Sequence, residues 1–255
     1  MSVPTQLPRR VLAEFLGSGL LAAIVIGSGT AAQQLSPSDV GLELFENAVA
    51  TAAGLSAIIL MFGPISGAHF NPVVSFADAV FGGLRWRVAV AYLPAQVTGC
   101  IAGAVLANLM FDQAVVSLAT KHRASWGHLL GEVVATAGLL LVIFALARSG
   151  RAQLAPAAVG AYIGSAYFFT SSTSFANPAI TVGRMFSNSF AGIAPTSVPA
   201  FIGAQCLGGV VALGLIKALY PQLSPGQASS VVVAQADRPE TTAALVAKYG
   251  GCHAE

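Results

Sequence analysis

The chain is 255 residues long, 55% hydrophobic and only 9% charged, with a mean hydropathy of +0.75. Soluble domains carry roughly 25% charged residues, which excludes a soluble globular protein, and a net charge of +2 is too small to suggest a nucleic-acid partner. The three cysteines, two of them (Cys100 and Cys206) inside apolar stretches, give no disulfide framework. No nucleophile–base pair or metal-ligand spacing occurs in those stretches either, so neither an enzyme nor a cofactor or metal site is expected.

In chain order, apolar stretches long enough to span a bilayer recur at 11–32, 48–62, 88–111, 129–147, 154–169 and 198–220. A spanning helix needs about 20 such residues, so the second and fifth stretches must borrow from polar flanks such as Glu46 and Ser171. The first follows Arg9 and Arg10, but it outruns the roughly 7–15 residues of a signal core and contains Glu14. An uncleaved first span is expected. Arg9, Arg10, Arg85, Arg87, Arg148, Arg151, Lys217, Arg238 and Lys248 fall on one side of the six spans, and Lys121, Arg123 and Arg184 on the other. The positive-inside rule then puts both termini in the cytoplasm and the chain, multi-pass, in the cell (inner) membrane. Residues 1–10 read as a cytoplasmic N-terminus. Residues 224–255 read as a partly disordered cytoplasmic tail, in which Cys252-His253 has no second thiol nearby to make a metal site.

The body of the chain, 11–223, is duplicated. "AEFLGSGLL" at 13–21 resembles "GEVVATAGLL" at 131–140, aligning Glu14 with Glu132; "AQVTGCIAG" at 95–103 resembles "AQCLGGVVA" at 204–212, aligning Gln96 with Gln205 and Gly99 with Gly208. Each repeat, about 11–111 and 128–220, also carries one Asn-Pro pair, Asn71-Pro72 and Asn177-Pro178. Three spans per repeat invert the second copy in the membrane, an architecture that places its site at the midplane on the pseudo-two-fold axis. Asparagine is a strong N-cap and proline is favoured at the first helical position. Two short helices, roughly 72–80 and 178–187, are therefore predicted to start near the centre, each crossing about half of the core. The non-helical backbone before them, at 66–70 and 171–176, is tolerable at that depth only where it lines a polar cavity. Ionisable residues within spans are costly and face the bundle interior, so Glu14 and Glu132 are read as acceptors for the amides of these re-entrant loops.

"SGAHFNPVVSF" and "SFANPAITVGR", with six spans and the repeated Glu and Gln, resemble the aquaporin (major intrinsic protein) family over about residues 9–220. The resemblance implies an all-α membrane protein: six transmembrane helices plus two re-entrant half-helices in an inverted 3+3 repeat, assembled as a homotetramer in the lipid bilayer with one pore per subunit. It implies that the motifs Asn71-Pro72-Val73 and Asn177-Pro178-Ala179 meet at the pore, with both asparagines donating into it. Carbonyls of Gly67, Ala68, His69 and Phe70, and of Thr173, Ser174, Phe175 and Ala176, would form a ladder of acceptors. His69 is read as a buried structural imidazole whose carbonyl does the pore work. The half-helix N-termini carry partial positive charge, a barrier to protons and cations.

The chain departs from the family pattern. Val73 stands where alanine is usual, without functional account, and Ile180 follows Ala179 where the family has arginine. The resemblance places the other constriction positions on Thr51, Ser165 and Ser174, which with Ile180 implies a wide, weakly polar filter without a fixed cation. Arg184, one turn after Ile180, is open between a charge returned to the outer vestibule and an anchor at the interface, and a chain heading for the surface favours the anchor. Isoleucine at this place resembles the bacterial branch of the family associated with arsenic-resistance operons, whose members conduct arsenite. The implied function is a passive channel for small uncharged solutes (glycerol, urea, metalloid hydroxides such as arsenite) and water. A strict water channel, a coupled secondary transporter and a structural junction protein are the alternatives.

Overall fold

An apolar chain with few side chains able to satisfy its amides must satisfy them within helices. Among residues 6–221, which the computed structural model describes, every regular element is a helix. The α-helices are α1 (Leu7–Leu35), α2 (Val40–Ser66), α3 (Pro72–Val80), α4 (Trp86–Met110), α5 (Trp126–Arg148), α6 (Ala155–Phe169), α7 (Pro178–Arg184) and α8 (Val198–Leu219). The tail from 222, with Cys252 and His253, and residues 1–5 lie outside the described residues.

α1, α2, α4, α5 and α8 are each long and apolar enough to cross a bilayer. α2 begins at Val40, well before the apolar stretch, taking in Glu43, Glu46 and Asn47. α6 has only 15 residues, but a 3₁₀ turn at Ala152–Leu154 leads into it. Together they rise about 28 Å, nearly the full hydrocarbon thickness.

The duplication is visible in the packing. α1 lies against α4 and α2, and α5 against α8 and α6, while α2 packs on α6 and α4 on α7 to join the halves. Each long crossing is made close by glycine. A Cβ at Gly99 or Gly103 of α4 would strike the carbonyls of Phe15 and Gly19 on α1; in the second half a Cβ at Gly208 would sit 2.6 Å from the Val133 carbonyl on α5. Lipid tails are as apolar as leucine, so such backbone approach and its dispersion contacts drive helix association here.

α3 and α7 are the half-helices. Proline opens each and the preceding asparagine caps it: Asn71 Oδ1 accepts from Val73 N (3.0 Å), and Asn177 Oδ1 from Ala179 N (2.9 Å) and Ile180 N (3.3 Å). α7 ends at Arg184, three residues short of the expected 187. There the ladder tightens to i→i−3 bonds, from Met185 N to the Val182 carbonyl (3.3 Å) and from Phe186 N to that of Gly183 (3.1 Å). The Met185 and Phe186 carbonyls, left without helical donors, pair instead with Ala119 N (2.9 Å) and with Ser117 N (3.1 Å) and Asn108 Nδ2 (3.0 Å).

Candidate pore and its constriction

The backbone entering each half-helix is bent by left-handed residues, Gly67, Ala68 and Phe70 on one side and Thr173, Ser174 and Ala176 on the other. Non-glycine residues avoid this region, so the loops need bracing, and a buried carboxylate supplies it in each repeat. Glu14 accepts from His69 N (3.0 Å), Phe70 N (2.7 Å), Ser66 Oγ (2.6 Å) and Gln96 Nε2 (2.8 Å). Glu132 accepts from Phe175 N (2.9 Å), Ala176 N (2.9 Å) and Gln205 Nε2 (2.6 Å).

The asparagines then tie the two loops to each other. Asn71 Nδ2 donates to the Ala176 carbonyl (2.8 Å) and Asn177 Nδ2 to the Phe70 carbonyl (2.7 Å). An amide group has two N–H donors, so one from each asparagine goes to the cross-tie and one is left for the lumen. Two carbonyls assigned to the ladder, those of Phe70 and Ala176, thus carry the junction. Gly67 is the C-cap of α2, and Thr173 is braced by Arg123 through its Oγ1 (3.4 Å).

Between the half-helices runs a cavity of about 60 Å³, room for about four to six waters at roughly 10–15 Å³ each. One wall is polar, with Ala68, His69, Phe70, Asn71, Ser174, Phe175 and Asn177; the other is apolar, with Leu21, Leu55, Ile59, Leu139, Ile143, Val159 and Ile163. The His69 ring is fixed between Ser75 Oγ (3.1 Å from Nδ1) and Asp78 (3.4 Å from Nε2). Val73 does not border the cavity: it packs toward α8, with its Cγ1 2.7 Å from where a Cβ of Gly209 would stand. This accounts sterically for a valine where the family pattern has alanine.

Thr51, Ser174 and Ile180 border the cavity, but Ser165 does not. It is exposed on the outer face of α6, bonded to the Tyr162 carbonyl (2.8 Å). The lumen-facing positions of α6 are Val159, Ile163 and Tyr167, a spacing of four that puts Ser165 on the opposite side. Tyr167 OH lies 3.1 Å from Thr51 Oγ1, so a large hydroxylated ring occupies the place assigned to a small serine. The helical period of α6 was legible in the sequence; its phase relative to the lumen was not.

Arg184 corrects the anchor reading. Its side chain is only 2% exposed, borders the cavity beside Ile180, donates from Nε to the Ala191 carbonyl, and lies 3.4 Å above the Phe175 ring. The chain after it folds back through buried Ala191, Ile193 and Ala194 rather than leaving for the surface. A buried cation thus borders the cavity beside Ile180, one turn later than the arginine of the family pattern. Arg123, which sequence reasoning left in a loop, reaches the same ring from 5.2 Å and donates to the carbonyls of Gly192 (2.9 Å), Phe190 (3.1 Å) and Ser172 (3.3 Å). Burial pushes its guanidinium down to about 10. Lys121 beside it is held down at about 8, by burial first and then by the charges of Arg123 and Arg184.

Comparison with known proteins agrees with this fold. The family model "Major intrinsic protein" matches residues 2–174. Aquaglyceroporin AqpS of Rhizobium meliloti (strain 1021) is 47% identical over 219 residues, covering 86% of this chain and 93% of the relative. The glycerol uptake facilitator protein of Pseudomonas aeruginosa is 33% identical over 258 residues, covering 86% and 91%. The solved aquaglyceroporin of Plasmodium falciparum superposes with a TM-score of 0.65 at 19% identity, covering 86% of this chain and 99% of that one.

Proposed function

This chain belongs to the major intrinsic protein family, a multi-pass channel for small uncharged solutes and not an enzyme, and we propose that its solutes are glycerol, urea and metalloid hydroxides such as arsenite, together with water. The observation that carries this reading is the two-sided lumen. A polyol presents hydroxyls along one edge and carbon along the other, and only the hydroxyls need replacement for lost water. Carbonyls and the asparagine amides offer that replacement on one wall, and leucine and isoleucine side chains accept the carbon edge on the other. Arsenious acid, neutral near pH 7 and bearing hydroxyls, is polyol-like in the same sense. Relatives named for aquaglyceroporin, glycerol uptake and propanediol uptake functions support a solute larger than water and disfavour a strict water channel.

Tyr167, Thr51, Ser174, Ile180 and Arg184 form the filter in this reading, narrower and more polar than one built from Ser165. The working form is a homotetramer in the inner membrane with both termini cytoplasmic. Exposed apolar side chains such as Phe45, Val49, Leu60, Leu130 and Phe168 need lipid or a neighbouring subunit to cover them.

Stopped-flow light scattering of proteoliposomes under glycerol, urea and water gradients, with arsenite uptake alongside, tests the reading. Flux linear in gradient and indifferent to membrane potential is expected; saturable, potential-driven uptake would mean a coupled transporter. Thr51→Phe should cut glycerol and urea flux far more than water flux, while Ser165→His, off the lumen, should leave their ratio unchanged. Ile180→Arg should slow glycerol and arsenite by at least tenfold while water persists; unaltered glycerol flux overturns the filter assignment.

A further inference from the structure

The side carrying most of the basic residues holds a second cavity, about 190 Å³, lined by Leu7, Arg10, Arg85, Arg87 and Val88 where α1 and α4 begin. The positive-inside rule explains which side these arginines are on, but not their convergence on one cavity. Three features make it a site rather than a scatter of surface charge. First, no carboxylate among the described residues is ion-paired with Arg10, Arg85 or Arg87. Second, Arg10 is held in place, its Nε donating to Tyr92 OH (2.9 Å) and its guanidinium 5.6 Å above that ring, yet its buried Nη2 has no acceptor. An unsatisfied charged donor away from water costs free energy unless something accepts from it. Third, neither α1 nor α4 has a side-chain cap at its N-terminus, so both bring positive helix ends to the same place.

We propose that this cavity binds the phosphodiester headgroup of an anionic phospholipid. The phosphate would sit among Arg10, Arg85 and Arg87. Free phosphate shares that chemistry, but the cavity is also lined by Leu7 and Val88, and Leu7 and Trp86 beside it are exposed. Trp at this level is an interfacial residue, and an apolar lining suits the glycerol and first methylenes of a lipid rather than a hydrated ion.

The test titrates purified protein in detergent with phosphatidylglycerol, phosphatidylcholine or inorganic phosphate, counting bound lipid by native mass spectrometry and following Tm. Phosphatidylglycerol should be retained at least tenfold better than phosphatidylcholine. Arg85→Gln/Arg87→Gln should weaken it by about ten- to thirty-fold, since each basic residue at a membrane surface contributes on the order of 1 kcal/mol. Arg85→Lys/Arg87→Lys, keeping the charge, should retain most of it. Arg148→Gln/Arg151→Gln, removing the same charge elsewhere on that side, should have no effect, and glycerol flux in phosphatidylcholine vesicles should report that each variant is folded. Equal binding of the two lipids, equal loss in the Arg148/Arg151 control, or protection by phosphate matching that by phosphatidylglycerol would overturn the proposal.

Discussion

Glu14 and Glu132 each combine burial, full charge pairing by donors and a backbone that could not hold its shape alone. The five left-handed residues other than glycine in the two loops, Ala68, Phe70, Thr173, Ser174 and Ala176, each cost on the order of 1–3 kcal/mol and persist because the surroundings over-determine them. Glutamine at 132 would offer one acceptor oxygen where Phe175 N, Ala176 N and Gln205 Nε2 now share two, and its own NH₂ would face a donor. Hydrogen bonds to charged groups contribute about 1.5–3 kcal/mol each. Glu132→Gln should therefore lower the unfolding temperature and reduce glycerol flux together. Flux lost at unchanged stability would instead mean that the carboxylate acts on the solute. At 71 and 177 the same logic gives Asn→Ala a double penalty, an N-cap worth about 0.5–2 kcal/mol and a cross-tie between half-helices.

At the scale of elements, the inverted repeat sets where helices approach and the glycines set how closely. Val73 on α3 and Gly209 on α8 form one such contact. Valine is stiff at χ1, so an added methyl at 209 cannot be accommodated by rotating it. Gly209→Ala should cost about 1–3 kcal/mol through overpacking. Val73→Ala in the same chain should recover much of that, giving a coupling that a double-mutant cycle reads as non-additive stability. Additive effects would mean that α3 and α8 do not meet there. α7 offers the converse lesson: its end is local, a tightening to i→i−3 bonds at Met185 and Phe186, but the carbonyls freed there are satisfied by the segment before α5, through the amides of Ala119 and Ser117.

At the scale of the whole molecule, the cavity mouth beside Arg184 is a cationic assembly of Lys121, Arg123 and Arg184 without an ion-paired carboxylate among the described residues. In the proposed reading it would add to the half-helix dipoles in excluding cations. Arg184→Leu should raise cation leak in proteoliposomes and admit larger neutral solutes. The mouth is also pH-dependent. Lys121 is near its charge transition at about 8, below an ordinary lysine. Between about pH 8 and the unfolded lysine value near 10.4, the unfolded chain holds a proton that the folded chain has shed. Stability contributed by this group therefore rises with pH across that window, and the mouth loses one of its positive charges. Cation leak should increase from pH 7 to 9, and Lys121→Met should remove that increase.

The sequence by itself determined the membrane class, the inverted repeat, the start of both half-helices and the buried glutamates, because each rests on local chemistry: hydropathy, an Asn-Pro cap, a charge where none is affordable in lipid. It also held the period of α6. Only the tertiary structure decided which face of α6 meets the lumen, exchanging Ser165 for Tyr167, and where Arg184 points. Both depend on the rotation of a helix apolar on every side, for which lipid and protein are equally good neighbours, and on a loop returning from 185 to 194 to close over the pore. Neither is encoded in the few residues around the position itself.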